Sequence, residues 1–181
     1  MIAAVAGGLL ALGSVACGNP STAPSPPAGS ATVASPGVAP PVVVPSAPQP
    51  VADGPCRYLP AAAVQAANGE RVTAVRISET SPGQPHPACF FLTYHAAVQL
   101  RTWIVTATPA VARATVDAVA PVATSDLAEL PGGWSGGSQP TTDGAVFAIA
   151  RQGTAVVITT NQRQTLGARR IAEQVITALG L

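Results

Sequence analysis

Between residues 145 and 160 the chain is almost continuously apolar, in two runs, Ala145 to Ala150 and Thr154 to Thr160. Short runs rich in Val and Ile read as strands, and Gln152-Gly153 between them reads as a tight hairpin turn. Upstream, Arg71 to Ser78 alternates, with Thr73, Val75 and Ile77 on one side, and predicts a strand. Ala88 to Tyr94 and Val98 to Ala107 predict two more; in the second, Val98, Leu100, Thr102 and Ile104 alternate inward. Helical signals sit between and around these. Pro60 opens a short helix through Ala67 that Asn68-Gly69 ends. Thr108-Pro109 is an N-cap and first-turn pair for a helix that Pro121 stops, with Ala112, Thr115, Val116 and Val119 as its apolar stripe. Thr165 is placed to cap a last helix, where Ala168, Ala172, Val175 and Leu179 recur at helical spacing before Gly180. Residues 122 to 144 read as a long, turn-rich connection. The order α-β-β-β-α-β-β-α predicts an α+β domain over residues 55 to 181: an antiparallel sheet with helices packed on one face.

The first third of the chain has a different composition. No charged side chain stands before Asp53. Ile2 to Leu12 is an apolar run too short to cross a bilayer, which takes about 20 residues, but of the length of a signal-peptide core. Ser14-Val15-Ala16-Cys17 follows and resembles the lipobox of bacterial lipoproteins, with Ser14 where that pattern prefers Leu. Residues 1 to 16 are therefore expected to be a signal peptide and Cys17 to be acylated, palmitate being the expected class of chain. Plain secretion, with Ser14-Val15-Ala16 as a small-residue cleavage site, is the alternative. From Cys17 to Gly54 the chain is rich in Pro, Ala, Ser, Gly and Val without periodicity, which predicts a disordered tether of polyproline II character. Roughly 35 such residues reach on the order of 100 Å when extended.

The chain has three cysteines, Cys17, Cys56 and Cys89. In an oxidising compartment Cys56 and Cys89 are natural disulfide partners, and Cys17 is the odd one, free for lipid. Two separate buried thiols are the alternative. All nine basic residues are Arg, and a net charge of +1 offers no electrostatic footprint for nucleic acid.

Few residues carry candidate chemistry. Gly133-Trp134-Ser135-Gly136-Gly137 contains the Gly-x-Ser-x-Gly signature of a hydrolase nucleophile elbow. An elbow needs a buried strand before the serine and a helix after it, and its histidine follows in the chain. SDLAELPGG before Ser135 and GSQPTTDG after it fit neither, and His86 and His95 both precede it. Ser135 is expected to have no chemical role, with Trp134 packing as a plug beside a sharp turn, and no catalytic residue is assigned. His86, in a proline-rich loop, and His95, in a turn, have no partner at metal-ligand spacing. No glycine-rich phosphate loop is present, so neither metal nor cofactor is expected. If Thr73, Val75 and Ile77 point inward, Arg76 points outward, and by the same alternation Gln99, Arg101 and Trp103 share an outer face. Arg76, Arg101 and Trp103 are the candidate ligand face, suited to an anion or a sugar. TNQRQT, residues 160 to 165, is a second candidate for an anion at a helix N-terminus.

Taken together, PCRYLP, NGERVTAVRIS, ACFFLTY, APVATSDLAELPGGWSGG, DGAVFAIARQGTAVVITTNQ and ARRIAEQVI resemble a family of actinobacterial envelope lipoproteins, mycobacterial and corynebacterial, that share a domain of unknown function. The resemblance spans about residues 55 to 181. It implies an envelope location, a Cys56–Cys89 disulfide and a compact α+β domain, and it implies no reaction. The expected function is a membrane-anchored, extracytoplasmic lipoprotein whose domain binds or scaffolds an envelope component without catalysis. A cell-wall-modifying hydrolase and a regulatory partner of another envelope protein are the alternatives.

Overall fold

The computed structural model describes residues 41–79 and 87–181; the segment expected to be a signal peptide, Cys17, most of the expected tether and His86 lie outside them. The two central apolar runs form β7 (Gly144–Arg151) and β8 (Thr154–Thr160), and Arg151 pairs Thr154 around a Gln152-Gly153 turn with Gln152 at φ 51°. β4 (Val98–Thr106) pairs with the other side of β8, and β3 (Ala88–Leu92) and β2 (Ala74–Ile77) continue outward from it. Beyond β2 lies β1 (Ala52–Asp53), whose residues pair Ile77 and Arg76. Part of the stretch read as tether is thus an edge of the sheet.

On the other side of β7 the chain differs from the sequence expectation. Residues 122 to 144 are not a connection but a hairpin, β5 (Asp126–Leu130) and β6 (Trp134–Thr141), joined by Pro131-Gly132-Gly133. Both glycines have positive φ, 85° and 83°, which only glycine adopts readily. Further along, a Cβ at Gly136 would run into the Ala148 carbonyl of β7, so this strand is built around a close backbone approach. Among the described residues the result is one eight-stranded antiparallel sheet, ordered β1-β2-β3-β4-β8-β7-β6-β5.

The helices are α1 (Ala61–Asn68), α2 (Pro109–Val119) and α3 (Thr165–Leu179). Thr108 caps α2 as expected, its hydroxyl accepting from the Val111 N–H at 3.3 Å. Thr165 does not cap α3: it is the first helical residue, after Gln164. The helices do not share one face. Leu100, Phe147, Ile149, Val156 and Ile158 pack with Val64 of α1 and Ala168, Ile171, Ala172 and Val175 of α3. Trp103, Val146, Ala148, Ala155 and Val157 point the other way and pack under Ala112 and Val116 of α2. Strands apolar on both sides need cover on both sides, and α2 supplies the second layer.

A disulfide joins Cys56 to Cys89, with Cα atoms 5.8 Å apart, and ties the segment before α1 to β3. Next to it the Tyr58 hydroxyl lies 2.9 Å from the Thr102 hydroxyl in the core. Burial pushes the Tyr58 phenol up to about 12, the Thr102 hydrogen bond offsetting part of the rise. The neutral phenol is the form the fold favours, so its contribution is whole below the unfolded value of 10.0 and is lost as pH climbs through 12. About 2–3 kcal/mol is expected to disappear over that window. Urea unfolding between pH 9 and 12 checks this, and Tyr58→Phe is expected to remove most of that slope.

Candidate functional site

Antiparallel register aligns one row of residues across the sheet: Asp53, Arg76, Phe90, Arg101, Thr159, Val146 and Gln139. Residues directly opposite one another send their side chains to the same side. For this row it is the side of α2, since Phe90 and Val146 belong to the layer beneath that helix. At Arg101 a groove of about 430 Å³ opens. Pro50, Phe90 and Val98 give it apolar lining, and Arg101, Thr159 and Asn161 give it polar groups.

The expected ligand face is only partly assembled. Arg76 is in the row but pairs with Asp53 at 3.3 Å on the exposed edge of the sheet, an ion pair of little energetic weight. Trp103 is a correction: it is 5% exposed and packed under α2, so it presents no ring to a ligand. From Leu100 to Ile104 the alternation is as expected, but a helix covers its outer side at Trp103, and Val98, expected inward, is exposed on the Arg101 groove. Gln99 is also displaced. The register shifts there, Phe91 facing Leu100 and Leu92 facing Val98, and the wholly buried Gln99 amide donates to the Arg71 carbonyl instead of joining Arg101.

Arg101 remains. Its Nη2 donates to the Thr159 hydroxyl at 3.3 Å, while Nε is buried without a partner. Burial depresses the guanidinium pKa, yet arginine stays charged in proteins. Asp143 also lines the groove but is exposed and makes no ion pair with Arg101 among the described residues. A second hollow, about 470 Å³, lies between α3 and the Tyr58–Pro60 segment. It is the larger and the more open of the two, and its Glu173 is already paired with Arg169 at 3.2 Å. Arg170 on that hollow is also unpaired among the described residues but is exposed, so the half-buried, unpaired guanidinium makes the Arg101 groove the better candidate. Of the groove's lining, sequence reasoning reached only Arg101 and the stretch containing Asn161. Phe90 and Val98 read as ordinary strand residues, and Pro50 as tether.

Of the remaining candidates only TNQRQT touches it, through Thr160 and Asn161. Within TNQRQT, the Thr160 hydroxyl donates to Asn68 Oδ1 and Asn161 Nδ2 donates to Glu70, so the segment is stitched to the end of α1. Ser135 is the second residue of β6, with strand on both sides of its turn, and its hydroxyl accepts from Arg113 Nη1 at 3.3 Å. That is not a strand-to-helix elbow. His95 is exposed at the β3–β4 turn, its ring edge-on to Tyr94. Among the described residues no three of His, Cys, Asp or Glu converge as metal ligands, and no helix is long and apolar enough to cross a membrane.

Residues 42–181 match the model of a protein family described as a domain of unknown function, DUF2020. No curated protein matches the chain.

Proposed function

From the premise that the chain belongs to the DUF2020 family, we propose that it is an extracytoplasmic lipoprotein, held at the cell membrane through Cys17, whose domain is a non-catalytic binding module of the cell envelope. The observation that carries this reading is the Cys56–Cys89 disulfide. Disulfides persist in oxidising compartments and are rare in the cytosol. It also uses two of the three cysteines and leaves Cys17, at the end of a lipobox-like stretch, as the remaining thiol. The Pro-rich segment between Cys17 and the domain suits a spacer that holds the groove away from the bilayer. The setting of Ser135 supports binding over hydrolysis, since its hydroxyl is engaged by an arginine in a strand hairpin.

Intact-mass analysis of membrane-fraction protein tests the anchor. The expected mass is that of a chain beginning at Cys17 and carrying two or more acyl chains, the number that gives stable attachment. An unmodified Cys17 would refute it. A fluorophosphonate probe is expected to leave Ser135 unlabelled; labelling that heat denaturation abolishes would make the domain a hydrolase.

A further inference from the structure

We propose that the Arg101 groove binds an anion with a short apolar body: a carboxylate or phosphate head on an aliphatic chain. The inference rests on reading the domain as a binding module and names the ligand class of its site. Arg101 is the reason for the anion. Its guanidinium is half-buried, and among the described residues no carboxylate pairs with it. Residues 1–40 and 80–86 contain no Asp or Glu, so the rest of the chain has no carboxylate to offer either. Removing a charge from water without a counter-charge is costly, and here the fold bears that cost with only the Thr159 hydroxyl in return. Nε is sealed off, Nη2 is bonded to Thr159, and Nη1 makes no hydrogen bond within the described residues. Nη1 and the second N–H of Nη2 are the donors left for the groove, and a charge-assisted bond there would supply the missing partner.

The lining and the size set the rest of the ligand. Pro50, Phe90 and Val98 would cover a hydrocarbon, while the Thr159 hydroxyl would flank its head. About 430 Å³ lies in the lower part of the range for small-ligand sites, enough for a head and a short chain. Asp143 places a carboxylate on the same groove, but it is exposed, makes no ion pair with Arg101 among the described residues, and at the surface such a pair would be worth little.

Titration calorimetry on the full-length chain tests this with hexanoate and hexyl phosphate, short enough to stay monomeric. Binding of one or both is expected, and which of them binds tells a carboxylate head from a phosphate head. Hexanol and inorganic phosphate, each half of the ligand alone, should bind at least about tenfold more weakly. Arg101→Gln should weaken the bound probe by about tenfold to a hundredfold. Hexanol binding as well as hexanoate, norleucine binding better than hexanoate, or an unchanged affinity in Arg101→Gln would each overturn the inference. Arg101→Met adds a readout that a structural role would reverse: losing an uncompensated charge should raise the melting temperature by about a few degrees. A fall would make Arg101 a structural residue and also overturn the inference. Failure of both probes with Cys17 acylated removes the groove and leaves the tethered module standing; an unmodified Cys17 with binding intact does the opposite.

Discussion

Trp134→Ala is expected to cost about 3–5 kcal/mol of folding stability, while Ser135→Ala, one position on, should change it by no more than about 0.5 kcal/mol. Trp134 is 2% exposed and lies in the layer with Leu130 and Ile149. Its ring also carries the Arg151 guanidinium, 5.0 Å from the centroid. Removing the indole leaves a cavity that the facing β5 and β7 strands cannot collapse to fill, because their backbones are fixed by ladders on either side of β6. Ser135 points the other way and holds one bond to an exposed arginine, which water replaces. Against a total of roughly 5–15 kcal/mol for a small domain, the first change is large. Urea midpoints at constant slope measure both. A loss below about 1 kcal/mol for Trp134→Ala, or equal losses for the two, would contradict this account of the Gly-Trp-Ser-Gly-Gly stretch as a hairpin with a core plug.

Replacing Cys56 and Cys89 together by Ala is expected to cost about 3–4 kcal/mol. The two residues are 33 apart, and opening a loop of that size returns about this much chain entropy to the unfolded state. The loss should fall first on the segment the bond anchors, which includes Tyr58 and Leu59, both buried against the sheet. Wild-type protein unfolded under reducing conditions should show the same loss as the double variant. A loss of less than about 1 kcal/mol in both would mean that the core alone holds α1 in place.

The parts of the fold that were legible share one property: their signal is local. The β7–β8 hairpin announced itself by two apolar runs and a Gln-Gly pair, α2 by a Thr-Pro start, and the helix ends by Gly69 and Gly180, both left-handed in the structure. The cysteine pairing followed from parity and compartment before any geometry was known. The β5–β6 hairpin was not legible because WSGGSQPT has neither alternation nor strand propensity. Its glycines and proline suggest a loop, and it is a strand because β5 and β7 pair with it and tolerate, at Gly136, nothing larger. The apolar runs of β7 and β8 carry a further signal. A strand apolar on both sides is covered on both, which excludes helices on a single face.

The candidate site follows the same division. Alternation along β4 was enough to separate Arg101 from Leu100 and Thr102, because side-chain direction in a strand has a period of two. It was not enough to say which outward residues meet solvent. That depended on where α2 crosses the sheet, burying Trp103 and stopping short of Arg101, and on a register shift that turned Gln99 inward. The groove itself joins Pro50, Phe90, Val98, Arg101 and Asn161, residues from four separate stretches of chain. Sequence by itself determined which residues can form helix or strand, which cysteines can pair and which arginine points out of its strand, since each is a property of near neighbours or of composition. Only the tertiary structure decided that this arginine is left half-buried without a counter-charge. Burial and charge balance are summed over residues far apart in the chain, and no local pattern records that sum.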